Sequence, residues 1–352
     1  MAITRLLQLT AEVDGSNSMI AETDTYASAT INPTYKKSGV GSFYLNVNGG
    51  RSYLIKGFPA TAQTRCGSHI MRAEGNYSGG DQRVITFWSG VVEVVSLRWN
   101  TTTKLYTLYL EGALQDTGSR RFYEKLTHLG WHHVGIDFKI AASGGWIYVY
   151  IDGIEELSMS GDTLATEATV DSVCFGGNVG NGACEGWFID DIYVDDTTGE
   201  GAVALVPDRR FEHVVPSGNG TTSDMTGSDA DQVDNYALVD EKPHTSDTDY
   251  VLATAATVKD TYAMNTVAVP TGWSIAAVIP TLIARKTAAE DANQAKTIVR
   301  SNGTEAAGSA QNLTSTYGLL WERQATDPDG DGAWDQAAID AMEIGQESAG
   351  SF

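Results

Sequence analysis

The amino-acid sequence predicts an all-β protein with two β-sandwich domains, a large N-terminal one and a smaller C-terminal one. Short segments of alternating or β-branched apolar residues recur along the chain, separated by Gly, Asn, Asp and Ser, which is typical of strands joined by turns. The chain has 352 residues and 37 glycines. This length exceeds that of most single domains, and the glycines supply the turns that short strands require.

The segment 131–153, WHHVGIDFKIAASGGWIYVYIDG, is the most informative part of the sequence. In its second half, aliphatic residues at 147, 149 and 151 alternate with aromatic residues at 146, 148 and 150, so both faces of this strand are apolar. Asp152 and Gly153 then provide a hairpin turn. A strand that needs cover on both faces belongs inside a β-sandwich.

Residues 1–206 are predicted to form the first domain, a two-sheet jelly roll, because roughly ten to fourteen short strands suit such a fold. The segment GWFIDDIYVDD at 186–196 is expected to close the domain beside the N-terminal strand, since an edge strand this apolar needs cover. The other strand candidates are 42–47, 52–58, 84–88, 91–99, 104–112, 132–138, 146–153 and 172–177.

Residues 207–352 are predicted to form the second domain. Segment 195–210 is interpreted as a linker or shared strand, and the polar stretch 217–235 as a long surface loop. Pro280 favours a bent or bulged strand over a helix at 273–287. A short helix near the end is predicted to begin at the cap Asp335 and to end at Gly345. Further strands are predicted at 236–241, 249–255, 260–267, 295–303 and 316–324.

The charge of the chain excludes several partners. With 23 basic and 45 acidic residues the net charge is −22, which repels phosphate backbones and anionic lipids. We therefore expect no direct nucleic-acid binding. The sequence contains neither an apolar run of about 18 residues nor an apolar signal core, so membrane insertion and export are not expected. For the cysteines, a Cys174–Cys184 bridge and free buried thiols both remain open.

The motif DPDGDGAW at 327–334 is a candidate calcium site. Asp327, Asp329 and Asp331 stand at alternate positions before a glycine, as at the start of an EF-hand loop. The twelfth loop position is Ala338 rather than a bidentate Glu. The alternative interpretation is a tight Asp-Gly turn that leads into the capped helix. No cofactor is expected apart from such a calcium ion.

A second acidic candidate is the Asp190-Asp191 pair in the closing strand. If strict alternation holds, Asp190 shares one face with Phe188 and Ile192 and points inward. An inward carboxylate must be hydrogen-bonded or metal-bound. We expect it to accept backbone N–H groups from a neighbouring loop, with calcium as the alternative. The adjacent residues His132 and His133 lie on opposite strand faces and cannot chelate one metal.

Signals for catalysis are missing from the sequence. There is no GxSxG serine elbow, no period-two run of acidic residues as in sandwich-fold glycosidases, and no Gly-rich phosphate loop. The sequence therefore favours a protein without enzymatic activity.

The motifs from Trp131 to the hairpin at Asp152-Gly153, the turn at 161–163 and the Asp190-Asp191 strand resemble the concanavalin A-like, laminin-G-like jelly-roll proteins of tailed bacteriophage virions. The segments DTDYV (247–251), DTYAM (260–264), SIAAV (274–278) and 327–345 resemble a module that often follows it in phage structural proteins. Under this resemblance, structural roles are expected for Trp131, His133, Asp152, Gly153, Asp190 and Asp191.

The resemblance implies a non-enzymatic virion structural protein on the particle exterior, as a decoration, neck-associated or tail-associated subunit assembled in the host cytoplasm. Its expected partners are other virion proteins and further copies of itself. A lectin-like adhesin for host surface glycans is the alternative, with Asn178, Asn181 and Glu185 as ligand-binding residues. A glycan-cleaving enzyme is the less favoured alternative.

Overall fold

The computed structural model describes residues 4–9, 25–27, 29–38, 41–45, 53–72, 81–100, 102–118, 130–164, 166–177, 186–241, 247–287 and 292–352. The chain divides into two compact units, Met1–Glu212 and His213–Phe352. Regular structure in both units is almost entirely β, which confirms the predicted all-β class. None of the helices in these ranges is both long and apolar enough to cross a membrane.

The first unit contains an eight-stranded and a seven-stranded antiparallel sheet. The strands are, in chain order, β1 (Thr4–Leu9), β2 (Thr25–Ala27), β3 (Ala29–Asn32), β4 (Ser42–Leu45), β5 (Tyr53–Thr61), β6 (Gln63–Arg72), β7 (Asp81–Ser89), β8 (Val92–Asn100), β9 (Leu105–Leu110), β10 (Ala113–Thr117), β11 (His132–Lys139), β12 (Gly145–Ile151), β13 (Ile154–Gly161), β14 (Val170–Gly176) and β15 (Trp187–Asp196). The larger sheet has the order β13-β12-β11-β6-β15-β4-β3, with β1 also paired to β15. The smaller has the order β10-β9-β8-β7-β14-β5-β2.

The core of the first unit lies between these sheets and is built by period-two alternation. In β12 the aliphatic residues Ile147, Val149 and Ile151 enter the core, while Tyr148 and Tyr150 belong to a separate cluster on the outer face. The two-sided strand predicted from the sequence is confirmed. The closing strand β15 pairs with β1, which confirms that prediction too.

A β-bulge in β15 corrects the predicted orientation of Asp190. The register between β15 and β6 shifts between Asp190 and Tyr193, and Asp191 has a φ of 51°. Ile189 before the bulge and Ile192 after it both face the core. The prediction that Asp190 shares a face with Ile192 is wrong, because one extra residue reverses which side chains point inward.

Residues 200–211, which we call the strap, cover the outer face of the eight-stranded sheet over β6, β11, β12 and β15. The Tyr150 hydroxyl donates to the carbonyl of Val203 at 2.6 Å and the Tyr193 hydroxyl donates to that of Pro207 at 2.5 Å. Val206 is buried in a cluster with both tyrosines. Interpreting 195–210 as a linker or shared strand is therefore wrong: residues 195–196 end β15, and the strap belongs to the first unit because the aromatic outer face needs cover.

Two glycines let the strap and the aromatic residues lie close to the sheet. A Cβ atom at Gly135 would lie 2.4 Å from the Cβ of Val206. A Cβ atom at Gly67 would lie 2.4 Å from the Tyr193 ring. Both distances are far below van der Waals contact. Only glycine at 135 therefore leaves room for Val206 of the strap, and only glycine at 67 leaves room for the Tyr193 ring.

Replacing Gly135 by alanine should displace the strap. We expect the overpacked methyl group to lower the free energy of unfolding by about 1–3 kcal/mol, measured by urea denaturation of the full chain. Gly201→Ala is the matched control, because a Cβ atom there meets nothing within 4 Å. Equal stability of the two variants would contradict the proposed packing role of Gly135.

The second unit contains a six-stranded sheet and two two-stranded sheets. Its elements are β16 (Pro216–Ser223), β17 (Thr226–Gly227), a 3-10 helix (Asn235–Leu238), β18 (Val251–Leu252), β19 (Lys259–Met264), β20 (Thr281–Ala284), β21 (Asn293–Ser301), β22 (Thr304–Ala307), β23 (Gln311–Asn312), β24 (Gly318–Trp321), α1 (Gln336–Asp340) and β25 (Glu343–Gly350). The large sheet has the order β16-β19-β25-β21-β22, with β23 also paired to β21. β17 pairs with β18 and β20 with β24.

Tertiary pairing corrects several local predictions in this unit. The stretch 217–235 contains β16 and β17, and the strand predicted at 236–241 is replaced by the 3-10 helix. The strand predicted at 273–287 is confined to Thr281–Ala284, directly after Pro280. Asp335 caps α1 by accepting from the Ala338 N–H at 2.9 Å, as predicted. The helix ends at Asp340 rather than Gly345, because β25 pairs with both β19 and β21.

A buried carboxylate organises one side of the second unit. Asp260 in β19 accepts from the backbone N–H groups of Asp224 (2.7 Å) and Met225 (2.8 Å). Its other oxygen accepts from the Asn235 amide at 2.7 Å and the Tyr262 hydroxyl at 3.2 Å. Four donors from three chain segments meet this one side chain, so it fixes the polar segment after β16 to the sheet.

Removing the carboxylate in Asp260→Ala should loosen that segment. Each buried donor left without an acceptor costs about 1–3 kcal/mol, so we expect a loss of at least about 3 kcal/mol in local stability. Hydrogen exchange of peptides covering 222–238 in the full chain measures it. The exposed Asp329 provides the control Asp329→Ala, and comparable exchange in both variants would contradict the anchoring role.

Candidate functional site

Several residues predicted to bind a ligand lie outside the described residues. Asn178, Asn181 and Glu185 fall in the gap between 177 and 186, as does Cys184. Cys66 and Cys174 are both buried. Burial raises the pKa of the Cys174 thiol to about 12, so this thiol stays protonated and acts as an apolar packing group.

Two of the acidic residues proposed as metal ligands, Asp190 and Asp327, accept backbone hydrogen bonds. Asp190 Oδ2 accepts from the backbone N–H groups of Lys37 (2.9 Å) and Ser38 (3.3 Å). Asp327 Oδ1 accepts from the Asp329 N–H at 3.0 Å, and Asp331 adopts a φ of 55° in the same turn. Within the described ranges, no group of three or more His, Cys, Asp or Glu residues is placed to hold a metal ion.

The hairpin between β12 and β13 contains Asp152 and Gly153 and contacts His133, three of the residues to which the resemblance assigns structural roles. Asp152 and Gly153 have φ values of 51° and 77°, as a tight two-residue turn between strands requires. The Asp152 carboxylate accepts from the His133 N–H at 3.0 Å and lies 2.6 Å from His132 Nδ1. The turn thus ties the start of β11 to the end of β12, beside the half-buried Trp131.

Beneath the strap lies a buried ion pair. Arg65 Nε donates to Asp137 Oδ1 at 3.2 Å, and their side chains are 4% and 0% exposed. Asp137 Oδ2 accepts from the Trp146 indole at 3.0 Å and from the Val203 N–H at 3.3 Å. Burial raises the pKa of Asp137, and the nearby guanidinium opposes that rise. Asp137 thus connects β6, β12 and the strap.

Asp137→Asn should leave the buried Arg65 charge with only the more distant Glu200 carboxylate, 3.9 Å away, as a counter-charge. We expect the free energy of unfolding to fall by about 3 kcal/mol, measured by urea denaturation of the full-length protein. The exposed pair of Arg285 with Asp247 supplies the control Asp247→Asn, which should change stability little because solvent screens that pair. A similar result for both variants would contradict the anchoring role of Asp137.

The outer face of the seven-stranded sheet has a different character and is the strongest candidate for a ligand. We call it the polar face. Bulges between Arg83 and Ile85 and between Phe87 and Trp88 in the β7–β8 pairing place polar and aromatic side chains together on this side. Its members are Asp81, Arg83, Thr86, Trp88, Glu93, Ser96, Arg98, Asn100, Thr107 and Tyr109.

Glu93 is the centre of the polar face. Its Oε2 accepts from Arg83 Nε at 2.8 Å and its Oε1 from Arg98 Nη2 at 2.5 Å. Burial raises the pKa of Glu93, but hydrogen bonds and charge from Arg98 and Arg83 outweigh this and hold it below its ordinary value. Glu93 therefore remains an ionised acceptor in neutral solution.

The aromatic residues of the polar face are held by cations. The Arg98 guanidinium lies 3.8 Å from the centroid of the Tyr109 ring, and that of Arg83 lies 5.4 Å from the Trp88 ring. The Tyr109 hydroxyl donates to Asp81 at 2.7 Å. The buried Trp88 indole N–H has no acceptor among the described residues. Trp88, Arg83 and Tyr109 are partly exposed to solvent, whereas Thr86, Ser96, Arg98 and Thr107 are buried.

No local pattern in the sequence predicted this face. Polar residues at alternate positions within the apolar strands 84–88 and 91–99 were the available signal. The two bulges obscure it, because they break the alternation beside Val84 and Val94, both of which enter the core. The pairing of strands distant in sequence was needed to bring these residues together.

No protein-family model and no curated protein matches this chain. Among solved structures it is similar to a sialidase (13% identity over 56% of this chain and 19% of the sialidase, TM-score 0.38). It is similar to a Bacillus subtilis protein of unknown function with a galectin-like fold (9% identity, 55% of this chain and 96% of that chain, TM-score 0.40). It is also similar to the receptor binding domain of botulinum neurotoxin C/D mosaic serotype (15% identity over 57% of this chain and 49% of that chain, TM-score 0.40). Similarities of this size do not identify a family.

Proposed function

We propose that this protein is a non-enzymatic binding protein whose polar face holds an uncharged saccharide. The observation that carries the proposal is the ordered set of one carboxylate between two guanidiniums, flanked by the partly exposed Trp88 and Tyr109. Among the described residues, the strap covers Tyr150 and Tyr193 on the outer face of the opposite sheet.

The chemistry of the polar face matches that of a sugar. Sugar hydroxyls both donate and accept, so they suit an ionised carboxylate beside guanidinium donors. Aromatic rings provide an apolar surface for the C–H groups of the sugar ring. Arg83 and Arg98 balance Glu93 and Asp81 in charge, which favours a neutral saccharide over a phosphate or a polyanion.

The same geometry supports binding without cleavage. Glycoside hydrolysis needs a general acid with a raised pKa and a second carboxylate as nucleophile or base. Glu93 has a lowered pKa and engages both oxygens with arginine. It is suited to accept hydrogen bonds and unsuited to donate a proton.

Saccharide binding can be tested with a glycan array followed by calorimetry on the best neutral oligosaccharide. We expect saturable binding that Trp88→Ala weakens about tenfold through loss of ring contact. Glu93→Gln should weaken it further through loss of the charged acceptor. Trp273→Ala in the second unit is the matched control and should bind as the parent does.

Absence of glycan binding, or equal binding by the parent and Trp88→Ala, would exclude the polar face as a saccharide site. Release of reducing ends from the bound glycan would show enzymatic activity instead. Repeating the measurement with a chelator tests a calcium requirement.

From the sequence resemblance we further propose that the protein acts on the exterior of a tailed-phage virion, with other virion proteins and copies of itself as partners. A net charge of −22 suits an outward-facing surface, because an acidic protein is repelled by packaged DNA. Labelling the protein in purified particles with an antibody and locating it by electron microscopy tests this role. Absence of the protein from the purified particles would exclude this structural role.

A further inference from the structure

The strap carries charged contacts near its C-terminal end. Asp208 lies 3.0 Å from His69 Nε2, and Arg209 lies 3.1 Å from Asp195 and over the Tyr193 ring at 4.5 Å. The Phe211 N–H donates to Asp191 at 3.0 Å. Two of these contacts converge on His69 and Asp191, which are buried in the sheet beneath.

The position of His69 determines its charge. Its Nε2 faces Asp208 of the strap and its Nδ1 faces Asp191 of β15, both at 3.0 Å. A neutral imidazole has one N–H, so one ring nitrogen would then present a lone pair to a carboxylate. The doubly protonated cation is attracted to both carboxylates, and between Nδ1 and Asp191 this is a charge contact at 3.0 Å that is not aligned as a hydrogen bond. The side chains of His69 and Asp191 are 2% and 0% exposed, so water cannot screen the attraction between these two groups.

We propose that the strap is a releasable clasp on the eight-stranded sheet, closed while His69 is a cation and loosened when His69 loses its proton. Loosening would uncover the aromatic surface formed by Tyr148, Tyr150 and Tyr193. Because the strap directly precedes His213, the first residue of the second unit, release would also add these residues to the connection between the units.

The other charged groups around His69 do not reverse the loosening of the strap that follows when His69 loses its proton. Burial lowers the pKa of His69, but Asp191 and Asp208 outweigh it and raise the pKa above 6.5. The pKa of the neighbouring His133 is lowered to about 4 by burial and by His69, so His133 stays neutral above that pH. Burial and the charge of Asp191 raise the pKa of Asp190.

The remaining groups near the clasp are Asp152 and Asp208, whose pKa values are lowered, and Arg209 and Arg210 on the strap. Because the pKa values of Asp152 and Asp208 are lowered, these carboxylates lose their stabilising charge only in acid. A raised folded pKa at His69 and Asp190 gives stabilisation that is complete at low pH and is lost as the pH rises through the folded values. The raised pKa of His69 therefore predicts a tighter strap near pH 6 and a looser one at alkaline pH. Asp190 accepts hydrogen bonds from Lys37 and Ser38, and none from the described residues of the strap.

Hydrogen exchange of the full-length protein tests the clasp. We expect strap peptides covering 200–212 to exchange about tenfold faster at about pH 9 than at about pH 6, after correction for intrinsic exchange. In His69→Gln the strap should exchange rapidly at both pH values. Asp208→Asn, on the exposed strap side, should shift the transition to lower pH. Peptides from β7 and β8 report whether each variant remains folded.

His132→Gln is the matched control, because His132 pairs with Asp152 instead; its strap should respond to pH as the parent does. NMR titration of His69 gives the midpoint, which should coincide with strap release. A pH-independent strap in the parent protein, or an unchanged response in a folded His69→Gln variant, would overturn the proposal.

Discussion

The first unit depends on the fact that its larger sheet must be covered on both faces. In β12 the aliphatic residues enter the sandwich core, and the aromatic residues form a second apolar surface on the outside. Aromatic side chains bury a large area each, and an exposed set of them would be costly in water. The strap provides the cover, so the segment that follows the closing strand becomes part of the sandwich.

Covering a sheet face with irregular chain requires partners for its backbone and for the polar groups it buries. Tyrosine hydroxyls and Asp137 meet the backbone at Val203 and Pro207, and His69 bridges carboxylates from the sheet and the strap. In the second unit, Asp260 accepts hydrogen bonds from the backbone N–H groups of the segment after β16. In each unit a buried acid joins irregular chain to regular strands.

Bulges give the two sheets their different outer faces. In β15 the extra residue removes Asp190 from the core side and leaves its carboxylate to bind the loop at 35–38. In the β7–β8 pairing, the bulges gather Arg83, Glu93 and Arg98 on one side without losing the apolar packing beneath. A one-residue insertion reverses the side on which every later residue points, so it can place a charged group without sacrificing the core.

The sequence alone determined the all-β class, the two-sided strand at 146–151, the hairpin at Asp152-Gly153 and the cap at Asp335, because each follows from local periodicity or local turn chemistry. Only the tertiary structure decided the orientation of Asp190, the role of the strap, the early end of α1 and the composition of the polar face. These features depend on bulges and on pairing between residues far apart in the chain. Such pairings are set by which surfaces remain to be buried once the strands have met, and no local pattern encodes that.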